Sequence, residues 1–264
     1  MQSNNPVFNK SEGFNGKSYA GFGDAPVITG APAGVGGGRM TIDSVVQRTA
    51  ITLGVVIVAA LATWVATPDV NSNADLAPLY SAAMIGSLGA FVLSMVNSFK
   101  RVISPGLVIA FAALEGVALG GLSKMFDAQF GGNVVSGAVI GTFAAFAGTL
   151  AAYKYLNIRV GNKFRTIIMA AVFGMIGLSL MELVLGLFGS SIGLFGFGGL
   201  GLVTAIIGLV LGIGMLVMDF DMVENGIRAG LPERESWRAA FGMTVSLVWI
   251  YTNLLRLLAI LQND

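Results

Sequence analysis

Two aspartates, Asp219 and Asp221, close the apolar run that ends in MLVMDFDMVENG, residues 215–226, where a helix leaves its hydrophobic stretch. Carboxylates in such a place can bind a cation, accept hydrogen bonds or exchange a proton. Two residues apart on a helix they point to different faces, so one is expected to face the bundle and the other water or neighbouring basic loops. Glu115 stands ten residues past Pro105 and ten before Met125. That is about 15 Å along a helix, near the middle of a hydrocarbon core about 30 Å thick. An ionised carboxylate there costs about 2.5–3.5 kcal/mol on insertion scales, so Glu115 is expected to be protonated, paired or turned toward a water-filled cavity. A place on an ion path is the sharper reading. A neutral glutamic acid bonded to a neighbouring helix is the plainer one.

Ser246, Asn253 and Arg256 follow at spacings of seven and three, which puts them on one face of an otherwise apolar helix and predicts that this polar stripe turns inward. Arg256 stands near the end of that helix, where it can snorkel to the interface or pair with Glu182. Glu182 lies six residues before the end of its own apolar run, so interfacial solvation and a functional role are about evenly matched for it. Several carboxylates against one arginine bias any water path toward cations.

The chain excludes much other chemistry. It has no cysteine and no histidine, which removes thiolate nucleophiles, disulfides, the usual zinc and haem ligands and the commonest general base. GSSIG at 189–193 offers serines with no base to activate them. No lysine lies deep in an apolar run to carry a Schiff base, and Asp219 and Asp221 share one helix end rather than meeting across a membrane as protease aspartates would. The expectation is no enzyme, no cofactor and no firmly assigned metal. A net charge of +1 gives no reason to invoke nucleic acid.

The elements that must position these groups are apolar helices. With 55% hydrophobic and 11% charged residues, the chain falls far from the soluble balance of about a quarter charged; it is an all-α membrane protein whose immediate partner is the lipid bilayer. Residues 1–40 are rich in Gly, Asn and Ser and predict a disordered tail, with no signal peptide. Thr41 is a plausible N-cap with Asp43 in the first turn. Seven runs of membrane-spanning length follow, at 48–67, 77–97, 105–125, 134–155, 164–188, 194–218 and 237–261. Thirteen of the fifteen Lys and Arg residues fall on the side of the tail, so the positive-inside rule makes that side cytoplasmic and puts the C-terminus outside. Small residues spaced four apart in GVALG (116–120), GAVIG (137–141) and GLVLG (208–212) predict close helix packing within one bundle. No internal repeat of the inverted transporter type is visible, and too few polar groups exist to outline a solute pocket.

NPVF in the tail, MTIDSVVQRT before the first run, FAALEGVALGGLS in the third, DFDMVENGIRAGLP after the sixth and WRAAFGMTVSLVWIYTNLLRLLAIL in the seventh together resemble a bacterial member of the Bax inhibitor family, over nearly all of residues 41–264. The resemblance implies seven helices with the last enclosed by the other six, in the bacterial inner membrane. It also implies a pH-sensitive calcium leak gated by a hydrogen-bonded pair of aspartates on the sixth and seventh helices. Carried over, Asp221 takes the sixth-helix role because an aromatic residue precedes it, with Asp219 as an auxiliary charge and calcium passing near Asp221 and Glu115. The acid expected on the seventh helix falls on Ser246, and a glutamate common in similar chains is replaced by Asn253, so neither position titrates here. Family members have also been assigned roles as non-conducting regulators that bind a membrane protease or stress complex, and the missing acid suits that alternative. The sequence leaves the oligomeric state unknown.

Overall fold

The computed structural model describes residues 38–70, 75–156, 158 and 160–263. The expected disordered tail therefore lies outside the described residues, apart from Gly38, Arg39 and Met40. Seven helices follow in order: α1 (Ile42–Ala66), α2 (Leu76–Phe99), α3 (Pro105–Phe130), α4 (Gly132–Tyr155), α5 (Asn162–Leu187), α6 (Gly199–Arg228) and α7 (Glu235–Asn263). All seven are long and apolar enough to cross a membrane.

Local chemistry sets their ends. Thr41 caps α1 through a reciprocal pair, its Oγ1 accepting from Ser44 N at 3.1 Å while Ser44 Oγ accepts from Thr41 N at 3.0 Å. This satisfies two of the free donors of the first turn, and α1 begins at Ile42 rather than near Arg48. The break expected around FDAQFGGN shrinks to Gly131, whose φ of 89° suits glycine and turns the chain directly from α3 into α4. The sixth helix departs most from expectation. Residues 194–198 stay outside it, while its far end runs through both aspartates to Arg228. The polar stretch after Met218 stays helical because its charges pair one turn apart, Asn225 Nδ2 donating to Asp221 Oδ2 at 3.0 Å and Arg228 pairing with Glu224, the spacing that supports a helix.

α7 is the central helix. α6, α4, α1 and α3 pack on it directly, while α2 lies outside against α3 and α5 lies outside against α6. The core around α7 divides into a cluster with α6 and α1, built from Leu216, Phe220, Met243, Leu247 and Ile250, and one with α3 and α4, built from Ala112, Leu119, Ala138, Tyr251 and Leu255. Glycine spacing marks the close contacts as expected. A Cβ on Gly116 would stand 2.4 Å from Val56 O of α1, and one on Gly212 would stand 2.6 Å from Ile250 Cγ1 of α7, so these backbones approach only because no side chain intervenes.

The connections alternate between two ends. One, called here the basic end, gathers residues 38–41, 100–104, 156, 158, 160–161 and 229–234, and there Met40 N donates to Leu231 O at 2.7 Å and Glu233 N to Gly38 O at 2.7 Å. The last residues of the expected tail are thus part of the folded bundle, and Met40 is buried.

Candidate functional site between α6 and α7

Asp219 and Asp221 do separate to different faces, but in the opposite sense to the one expected. Asp219 Oδ2 accepts a 2.5 Å hydrogen bond from Ser246 Oγ of α7. Its Oδ1 faces Gly242, one turn earlier, where a Cβ would lie 3.1 Å away. The carboxylate therefore sits in a notch between two small residues of α7, with Ser246 itself buried. Asp221 turns away, toward Arg165 of α5 (Nη2 to Oδ2, 3.1 Å) and Asn225. The choice of Asp221 as the group facing the seventh helix is thus corrected to Asp219. The deciding signal was in the sequence: Gly208, Gly212 and Asp219 are four and seven apart and share one helix face, and the glycines mark that face as the one closest to α7.

The stripe on α7 turns inward as expected, and all three residues meet α6. Ser246 bonds Asp219. Asn253 packs so closely on Gly208 that a Cβ there would fall 2.1 Å from its Oδ1, while its Nδ2 donates to Trp249 O at 2.8 Å. Trp249 Nε1 donates to Gly208 O at 2.8 Å. Arg256 Nη2 donates to Thr204 Oγ1 at 3.1 Å and its guanidinium lies 5.1 Å from the centre of the Phe195 ring. The expected Arg256–Glu182 pair is not formed. Glu182 instead holds the α5–α6 connection, accepting from Ser191 Oγ at 2.6 Å and Gly193 N at 2.6 Å. A carboxylate near a glycine loop finds free backbone donors close in sequence, whereas Arg256 reaches inward to α6.

Glu115 lies on the other side of α7. It shares an α3 face with Phe111, one turn before, whose ring meets Phe241 edge-on at 5.0 Å, and with Ser123, two turns on, whose hydroxyl bonds Tyr251 at 2.6 Å. Both partners belong to α7, so Glu115 is bracketed by α3–α7 contacts. It is half-buried, and among the described residues it makes no hydrogen bond or ion pair.

Several polar contacts were not foreseen. Tyr153 of α4 donates to Glu224 of α6 at 2.6 Å. Arg238, near the start of α7, is buried, pairing with Glu235 at 2.7 Å and donating to Arg101 O at 3.0 Å. Lys124, near the far end of α3, is also buried. Its Nζ donates to Trp64 O at 2.8 Å and Thr67 O at 2.7 Å, the free carbonyls at the C-terminus of α1, where a cation is favoured. Among the described residues no three acidic side chains gather into a group able to hold a metal ion.

Seven apolar helices, four of them packed directly on a central α7 that carries a polar inner stripe and two lying outside rather than enclosing it as expected, define a multi-pass membrane protein. Residues 5–263 match the family described as Bax inhibitor 1 like, and the chain belongs to that family. It is also similar to an uncharacterised protein of Chlamydia muridarum (strain MoPn / Nigg), 28% identical over 159 residues that make up 58% of this chain and 64% of the relative. The match thus spans less than two thirds of that relative's length.

Proposed function

We propose that this protein is a cation leak of the bacterial inner membrane, passing calcium along α7, with its basic end in the cytoplasm and without enzymatic chemistry. The observation that carries the reading is the Asp219 carboxylate, lodged across the α6–α7 interface on one hydroxyl donor from Ser246. A single hydrogen bond of this kind is easily exchanged for a passing cation, whereas Asp221 is held by an arginine and an amide. Glu115, with no partner among the described residues, supplies a second carboxylate at mid-membrane depth. Lone carboxylates suit a passing ion better than a stored one, since calcium binding sites gather six to eight oxygens.

With a serine opposite Asp219, no pair of acids shares a proton, so flux follows a single-group titration rather than the two coupled steps of a dyad. The experiment is calcium entry into liposomes holding the purified protein at pH 6, 7 and 8, for the parent, Glu115→Gln and Ser246→Asp. The reading predicts flux above protein-free liposomes, lowered by Glu115→Gln and made more steeply pH-dependent by Ser246→Asp. Flux no higher than that of empty liposomes for all three removes it.

A second reading, a non-conducting regulator that binds another membrane protein, draws on the same serine: Ser246 closes the interface with a hydrogen bond and offers nothing to titrate. It predicts no flux in the parent.

A further inference from the structure

The connection between α5 and α6 does not stay at the helix ends. Residues 194–198 are non-helical, with Leu194, Phe195 and Gly196 half-buried. Leu194 O accepts from Thr204 Oγ1, five residues inside α6 and so about 7 Å below its start. Gly196 O backs so closely on Gly201 that no Cβ fits between them. Non-helical backbone at such depth is tolerated in a membrane where protein buries it or where it borders a water-filled space.

The loop fills a gap in the ring of helices. α3 and α6 both pack on α7 and scarcely touch each other. Phe195 reaches back to α7, where its ring centre lies 5.1 Å from the Arg256 guanidinium, and Arg256 donates to the same Thr204 that holds Leu194. Phe197 reaches the other way, to α3. Its ring centre is 5.0 Å from that of Phe130 and 5.9 Å from that of Phe126, and those two rings lie 5.6 Å apart. Phe126 and Phe130 pack in turn on the core cluster that holds Tyr251, Leu255 and Ala259 of α7. Rings from α3 and from the loop thus close on one another beside α7, at the end opposite the basic one.

The loop is fastened at its base and hinged on either side. Glu182 of α5 accepts from Ser191 Oγ at 2.6 Å, Gly193 N at 2.6 Å and Ile192 N at 3.3 Å. Gly193 has a φ of 78°, a left-handed value that suits glycine, and a Cβ on Gly198 or Gly199 would meet nothing within 4 Å. Small residues at both ends of a short segment are well placed to absorb the backbone rotation of a hinge.

We propose that residues 194–198 are a lid on the end of the bundle opposite the basic one, with Phe197 as its bolt on α3 and Glu182 as the clamp that holds its base. On the cation-leak reading, on which this rests, the closed rings form an apolar constriction that keeps water and ions from α7. A swing about Gly193 and Gly198 that parts Phe197 from Phe126 and Phe130 opens the way. Arg256 Nε is buried with no hydrogen-bond partner among the described residues, so the closed position leaves unmet a donor that water satisfies once the lid lifts.

The test is calcium entry into liposomes at one pH, for the full-length parent and for variants of the lid. Losing two aromatic pairs should raise the open fraction, and with it entry, by about fivefold or more in Phe197→Ala. Glu182→Gln should raise entry less, because the amide keeps one oxygen acceptor. Phe188→Ala, which removes a 79% exposed ring just past α5, should leave it unchanged. The chain has no cysteine, so Phe130→Cys with Phe197→Cys can be joined by a short bis-methanethiosulfonate reagent. Joining should lower entry below that of the unjoined pair, and reduction should restore it. If Phe197→Ala loses its helical circular dichroism, Phe197→Leu takes its place. Parent entry that neither Phe197→Ala nor joining alters, or a rise as large in Phe188→Ala, overturns the lid and leaves the leak standing. A silent parent beside a conducting Phe197→Ala supports the lid and contradicts the leak as the parent's activity. Silence in both overturns both.

Discussion

The α6–α7 interface and helix α5 are built on opposite plans. Between α6 and α7, glycines bring the backbones together, and Ser246, Asn253 and Arg256 of the inner stripe each make a hydrogen bond to α6 or to their own helix. Helix α5 packs on one neighbour through Ile168 and Met175, and polar bonds hold it at its two ends, Arg165–Asp221 at the basic end and Glu182 to the 191–193 loop at the other. In lipid, apolar surface is not driven together by water, so close packing and hydrogen bonds must supply the association. One helix pair has both along its length. The other has bonds only where it leaves the membrane, which makes α5 the element best able to move without disturbing the carboxylate at α7.

The largest expected effect comes from breaking the tight side. Gly212→Val puts a branched side chain where even a Cβ would stand 2.6 Å from Ile250, and it should destabilise the bundle by about 3 kcal/mol, measured by reversible unfolding in mixed micelles. Ser246→Ala, which removes the hydroxyl bonded to Asp219, should cost about 1–3 kcal/mol because it strips an interior carboxylate of its donor. Ser246→Thr, which keeps the hydroxyl, should recover part of that loss in the same assay. On the loose side the sign reverses. Gly174→Ala, with open space around it, should be neutral or stabilising by up to about 1 kcal/mol through helix propensity alone. The smallest change in global stability is expected for Arg165→Gln, under about 1 kcal/mol for a partly exposed ion pair. Its effect should appear as faster amide exchange confined to the first turns of α5. Exchange spreading equally into α6 and α7 would mean that the two regions are not distinct.

Much of this contrast could be read from the residues, and some could not. The seven spans, the Thr41 cap and the inward stripe of Ser246, Asn253 and Arg256 follow from run length, local capping chemistry and helical spacing, which depend on near neighbours only. The extension of α6 to Arg228 was hidden because polar residues after a span look the same whether they form a loop or a helix laced by pairs one turn apart. Which aspartate meets α7 was encoded in the register with Gly208 and Gly212, a signal weaker to the eye than the aromatic residue before Asp221. The partners of Arg256, Glu182 and Tyr153 were beyond reach, since they depend on which helices become neighbours and at what height.

The central claim is that the α6 carboxylate which matters is the one against α7. The measurement that tests it most directly is calcium flux through liposomes holding Asp219→Asn beside Asp221→Asn, at equal protein content and at one pH. The account predicts that Asp219→Asn changes flux by about tenfold or more, the effect of about 1.4 kcal/mol on a barrier, while Asp221→Asn stays close to the parent. A large change in Asp221→Asn with Asp219→Asn unaffected would contradict it.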